Sequence, residues 1–145
     1  MSWILKLHLG STLFMTGLIW FVQLVHYPLF VRVGESDFSS YARSHQMRTS
    51  IVVIPAMLCE LVTGFFLLLF PVNQVPIDWA YVNVIMLAGI WMSTFFLQVP
   101  CHTKLTTGFN LDTCNRLVSG NWIRTLLWSV RSITLLYLLT NGSQS

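Results

Sequence analysis

The chain has 145 residues, enough for one domain, and is 54% hydrophobic against 9% charged, with a mean hydropathy of +0.67. A soluble domain carries about 25% charged residues, and a surface this poor in charge would expose large apolar patches to water, so the composition argues for a fold whose outer face meets lipid. The net charge of +3 comes with no Lys/Arg run and no aromatic–basic sheet pattern, which argues against a nucleic-acid partner.

A helix needs about 20 mostly apolar residues to cross the hydrocarbon. Four stretches qualify, at about 4–30, 49–70, 79–99 and 122–139. The expected fold is therefore all-α, a single membrane domain built as a four-transmembrane-helix bundle. The first stretch reads as a span and not as a cleaved signal, because it has no strong basic n-region and outruns an h-region. Residues 71–78 form a short turn. The connections at 31–48 and 100–121 are longer and polar, and the segment 35–44 reads as a short amphipathic helix on the membrane surface. Pro55 is expected to kink the second helix. Gly10, Gly17 and Gly64 lie on helices and suit close packing.

Both longer connections fall on one side, with Arg32, Arg43, Arg48, Lys104, Arg116 and Arg124, whereas the other side has Lys6. The positive-inside rule then puts the longer connections in the cytoplasm and both termini on the non-cytoplasmic side, as in a bacterial inner-membrane protein. Trp3 and Trp79 are expected at the outer interface, Trp122 at the inner one, and His8 is expected to be interfacial. Cys59, Cys101 and Cys114 are an odd count at irregular spacing and make no disulfide framework.

On this frame the unusual polar residues converge. The first helix ends with Gln23-Leu24-Val25-His26-Tyr27-Pro28, the second opens with His45-Gln46-Met47-Arg48-Thr49, the third ends with Gln98-Val99-Pro100-Cys101-His102, and the fourth opens with Asn121-Trp122-Ile123-Arg124-Thr125. Polar groups close to the hydrocarbon are costly and turn toward a bundle interior or a cavity. His26 and His102 are the candidate ligands for a haem b or a metal ion, since imidazole binds both and bis-histidine haem suits a helical bundle. The competing reading is that they join helices by hydrogen bonds to Gln23, Gln98 or backbone carbonyls and bind no cofactor. His45, Arg48, Asn121 and Arg124 are the candidate catalytic residues: histidine titrates near neutral pH, and the arginine fork suits a propionate or another anion. Arg48 and Arg124 equally suit contact with lipid phosphates. Deeper in the membrane, Glu60 and Arg131 are placed to pair across the second and fourth helices.

The two halves echo each other at an offset of 76 residues, which overlays His26 on His102, His45 on Asn121, Arg48 on Arg124 and Trp3 on Trp79. Two pseudo-repeated helical hairpins would set His26 and His102 face to face about an axis along the membrane normal.

The segments Gln23-x-x-His26-x-Pro28 and Asn121-Trp122-Ile123-Arg124-Thr125 resemble small bacterial four-helix membrane proteins related to the anthrone oxygenase-like family. The resemblance implies an oxygen-using reaction on polycyclic phenolic carbon, with a histidine as base and an arginine or asparagine steadying an enolate oxygen. His26, His102 and Arg124 match those roles. Three functions follow from the residues: a small membrane oxidoreductase or redox-cofactor protein, a non-catalytic subunit of a larger membrane complex, and a small transporter that uses Glu60 and Arg131. The lipid bilayer is the expected partner, with other membrane subunits or self-association beside it.

Overall fold

The computed structural model describes residues 2–141, and every element in that range is helical. Four rods run in chain order: α1, Trp3–Arg32; α2, Glu35–Leu69; α3, Ile77–Leu105; and α4, Leu111–Asn141. α1 packs on α2 and α4, and α3 packs on α2 and α4. α1 and α3 therefore share one diagonal of a square bundle, and α2 and α4 share the other.

Three rods, α1 to α3, are long and apolar enough to cross a membrane, the length and composition of a membrane protein. α4 falls outside that class because it carries Arg116, Asn121, Arg124 and Arg131 along one helix. Arg116 is exposed, and the burial pattern explains how the other three are housed. Leu117, Asn121, Arg124, Thr125, Trp128, Arg131, Ser132 and Leu135 are all buried, recurring every three or four residues, so one face of the helix carries the polar groups inward. The lipid-type side chains point outward, with Leu126, Val130 and Ile133 exposed.

The rods are longer than the sequence pattern suggested. The polar stretch after residue 31 is not a surface helix followed by a span: Glu35 already opens α2, which continues unbroken through Pro55 to Leu69. Glu35 and Asp37 sit in its first turn, where carboxylates complement the helix dipole. Phe38, Ala42 and His45 then continue one buried stripe. At 1.5 Å per residue the rod is about 50 Å long, beyond the roughly 30 Å of hydrocarbon. Likewise α3 extends to Leu105, and α4 starts at Leu111 after Asn110 caps it, its side chain accepting from the Thr113 N–H at 2.8 Å.

α1 and α3 share a local device. Each widens into one π-helical turn, Val22–His26 in α1 and Thr94–Gln98 in α3, shortly before a proline. Pro28 and Pro100 cannot donate to the carbonyl four residues back. The residue before each proline reaches one step further, Tyr27 N–H to the Val22 carbonyl and Val99 N–H to the Thr94 carbonyl. These turns match in structure at a different offset from the one that overlays His26 on His102. By the π-turn register His26 corresponds to Gln98, and His102 lies one helical turn beyond.

The apolar core divides in two. Met15, Ile19, Phe30, Phe38, Leu105, Leu117 and Trp128 belong to the larger cluster, toward the α1–α2 and α3–α4 turns. Leu5, Leu67, Val75, Trp79 and Leu135 make a smaller one at the terminal end. Trp79, expected in an interfacial belt, belongs to this core at 7% exposed. Its ring meets His8 edge-on at 6.2 Å.

Candidate functional site

Two polar layers cross the bundle. In the deeper one, Arg131 donates from one terminal nitrogen to Glu60 Oε1 at 2.8 Å, and both side chains are fully buried. The Arg131 Nε–H donates to Asn83 Oδ1 at 2.9 Å, and Trp128 Nε1–H donates to Glu60 Oε2 at 2.8 Å. A longer contact of 3.4 Å joins Arg131 to Thr12. All four helices contribute, and the ion pair spans the α2–α4 diagonal. His8 belongs to this layer and not to the interface: it is fully buried, with Nδ1 2.8 Å from Thr63 Oγ1. Leu5, His8, Thr12, Met15 and Ile19 form the buried stripe of α1, which faces His8 inward. Gly64 makes room for the layer; a Cβ there would stand 2.7 Å from Leu87 Cδ1 and 3.2 Å from Asn83 Nδ2.

The second layer lies near the α1–α2 turn and gathers three histidines from three helices. His26 Nε2 is 2.8 Å from His45 Nδ1, with ring centroids 4.5 Å apart. His45 in turn lies 5.4 Å from the His102 ring. Thr49 Oγ1 sits 3.1 Å from His45 Nδ1, one turn along α2. Tyr27 Oη is 3.0 Å from His102 Nε2, a bond across the α1–α3 diagonal. The Arg124 guanidinium faces the Tyr27 hydroxyl from α4. A cation against the phenolic oxygen orients the hydroxyl hydrogen toward His102, so Tyr27 donates and His102 accepts. Arg124 also lies over the Trp128 indole at 5.2 Å, a cation–π contact.

The π turn of α1 brings this about. A turn with one extra residue shifts the faces of the helix, and such turns are frequent at functional sites. Here it directs Gln23 to α4, His26 to α2, and Tyr27 to α3. Gln23 donates to the Val118 carbonyl at 3.1 Å and accepts from Asn121 Nδ2 at 2.8 Å. Asn121 thus serves a helix-joining pair with Gln23, behind the histidines.

Two cavities flank the cluster. One, of about 250 Å³ between α1 and α2, is lined by His26, His45, Arg48 and Thr49 among apolar neighbours. The other, of about 320 Å³ between α2 and α3, is lined by Tyr27, His45, Gln98, His102 and Arg124 above an apolar wall that includes Val53, Met57 and Phe95. His45 and Thr49 belong to both walls. Arg48 and Arg124, paired by the sequence echo, occupy different settings: Arg48 is exposed at the first cavity, Arg124 is 5% exposed at the second.

The fit of a bis-histidine haem can be read from the nitrogens. Such a site needs Nε2 of His26 and of His102 free and aimed at one iron. Each is instead directed at another side chain, His45 in one case and Tyr27 in the other. His45 approaches both rings, so the face-to-face pair is replaced by a three-histidine row. Among the described residues no group of three His, Cys, Asp or Glu side chains is arranged to hold a metal ion. In this packing both nitrogens that would hold a haem iron face protein side chains. Among the described residues Cys59, Cys101 and Cys114 are free thiols.

Sequence reasoning found His26, His45, His102, Arg124 and Gln98, which the fold brings together. It missed Tyr27, Thr49 and Trp91 at the cavity, and His8, Thr12, Asn83 and Trp128 in the deeper layer. Comparison with family models, with curated proteins and with solved structures finds no match to this chain.

Proposed function

We propose that this chain is a small integral membrane enzyme of the oxidoreductase class that uses histidine acid–base chemistry, without haem, on a lipid-soluble substrate in the α2–α3 cavity. The observation that carries this reading is a buried arginine without a carboxylate. Among the described residues the one ion pair is Glu60–Arg131, so Arg124 holds its charge against Tyr27 and the cavity with no acidic partner. An uncompensated buried charge is costly, and sites retain one where negative charge develops on a substrate.

His45 on the cavity wall is the base, since neutral imidazole accepts a proton within hydrogen-bond reach, and His102, whose accepting nitrogen is taken by the Tyr27 hydroxyl, holds that hydroxyl in place. Tyr27 sets the tautomer of His102 and the orientation of its ring. Arg124 stabilises the oxyanion formed when a substrate proton leaves. An enolate made in this way is electron-rich enough to react with oxygen, the reaction class implied by the anthrone oxygenase-like resemblance of the Gln23–Pro28 and Asn121–Thr125 segments. The polar end then faces the cytoplasm of a bacterial inner membrane, because Arg32, Arg43, Arg48, Lys104 and Arg116 are exposed there. α4 makes the fourth crossing, its Arg124 and Arg131 shielded by the other three helices.

The test is oxygen uptake by the detergent-purified chain with a panel of enolisable lipid-soluble phenols, alongside its absorption spectrum. Uptake from a colourless protein, reduced at least about 100-fold by His45→Ala, supports the proposal. A Soret band lost on His26→Ala or His102→Ala would replace it with a redox-cofactor function. A colourless chain inert toward the whole panel would leave the structural-subunit reading in its place.

A further inference from the structure

The α2–α3 cavity has more hydrogen-bond donors than the protein answers. Gln98 is 2% exposed, yet neither its Nε2 nor its Oε1 has a partner. The Arg124 Nε–H and the Trp91 Nε1–H are also buried and without acceptors. All three residues line the same cavity. Native proteins leave few buried polar atoms unsatisfied, and each one calls for an explanation. Three such residues clustered at one cavity, one of them a cation with no carboxylate, point to a bound acceptor that carries negative charge.

The donors specify its chemistry. Arg124, Gln98 and Trp91 together present four unanswered N–H bonds: one from Arg124, two from the Gln98 amide and one from Trp91. A single hydroxyl oxygen cannot take all four, whereas a carboxylate has two oxygens with about four acceptor sites and matches the charge of a guanidinium. The rest of the wall specifies the body of the ligand. Val53, Ile54, Met57, Phe95 and Val99 are apolar, and Ile54, Phe95 and Val99 are also exposed on the outer face of the bundle. In a chain embedded by α1 to α3 that face meets lipid acyl chains.

We infer that the cavity binds a carboxylate amphiphile from the bilayer, its head group on Arg124, Gln98 and Trp91 and its apolar chain leaving between α2 and α3 into lipid. The inference rests on the cavity identified above as the reaction site. It requires binding but no turnover there.

The probe is tritiated palmitate, bound to the full chain in neutral phosphatidylcholine nanodiscs and competed with unlabelled hexadecanol or a long-chain alkylphenol. Saturable binding of one palmitate per chain is expected, with hexadecanol competing at least about tenfold more weakly. Arg124→Gln and, separately, Ile54→Trp at the lipid-facing mouth should each weaken binding by at least about tenfold. Should Arg124→Gln fail to fold, Ile54→Trp decides, because Ile54 is a lipid-facing position away from the polar layers. Equal competition by hexadecanol, stronger competition by the alkylphenol, or unchanged binding in the Ile54→Trp chain would overturn the assignment. Palmitate binding with no oxygen uptake from any substrate would sustain this inference and remove the proposed catalysis. Oxygen uptake without carboxylate binding would do the reverse.

Discussion

Two buried arginines seven residues apart on α4 make opposite demands. Arg131 has a carboxylate at 2.8 Å and an amide oxygen at 2.9 Å, so its charge is balanced within the protein. Arg124 has a phenol and an indole face. Glu60→Gln leaves Arg131 buried without a counter-charge and should destabilise the chain by about 3–5 kcal/mol, read as a lowered thermal unfolding temperature in detergent. Replacing both Glu60 and Arg131 with leucine should cost less than either single change, because it leaves no orphaned charge. Arg124→Gln removes a charge that the protein itself does not balance, so stability should hold while oxygen uptake is lost; unfolding temperature and uptake measured on one preparation separate the two effects. The Glu60–Arg131 pairing was legible from depth alone, since two opposite charges within apolar stretches have few other partners. His8 was misread because its position near the terminus suggested an interface. Its place on the stripe of Leu5, Thr12, Met15 and Ile19 was the available signal, and the helical period outweighs distance from the end.

At the scale of the element, the π turns decide which side chains meet. Pro28 and Pro100 stand visibly in the sequence, but a proline in a helix announces only a missing donor. Pro55 shows the ambiguity, since α2 runs through it without a π turn. The offset that matched histidine to histidine followed residue identity, whereas the backbone repeats by its prolines, one helical turn away. Pro28→Ala restores a donor for the Leu24 carbonyl and lets the turn tighten to α. The expected result is an unfolding temperature kept or raised, together with lost activity, because His26 and Tyr27 rotate away from His45 and His102; a chain as active as wild type would show that the π turn does not position the site. Gly64 tests the other helix contact. Alanine there meets Leu87 and Asn83 inside contact distance, and overpacking of this kind costs about 1–3 kcal/mol, measurable as a lower unfolding temperature. The start of α2 escaped sequence reading for a related reason. Its first turns are polar enough to read as a surface segment, and only the burial of Phe38, Ala42 and His45 on one face ties them to the span.

For the whole molecule, the polar layers and the charge distribution work together. Glu60–Arg131 fastens the α2–α4 diagonal and Tyr27–His102 the α1–α3 diagonal, so the square cannot shear without breaking a buried polar bond. Lipid supplies no hydrophobic drive between helices, and packing with interhelical hydrogen bonds must hold them. The class of the fold and the gathering of the histidines followed from the sequence because apolar length and the depth of rare residues are one-dimensional quantities. The row His26–His45–His102, the tautomer set by Tyr27 and the two cavities depend on the facing of each helix, which the sequence constrains only to within a turn. Orientation in the membrane rests on the exposed cations near the α1–α2 and α3–α4 turns, and it is open to direct test. With the native cysteines replaced by alanine, a cysteine at Thr107 should react with a membrane-impermeant maleimide only after inner-membrane vesicles are inverted. A cysteine at Asn73, on the α2–α3 turn, should react from the periplasmic side of intact spheroplasts. The reverse pattern would place the histidine layer at the outer face of the membrane. Labelling of both positions from one side would mean that the helices do not alternate across the membrane, and the diagonal bonds would then need partners from another chain.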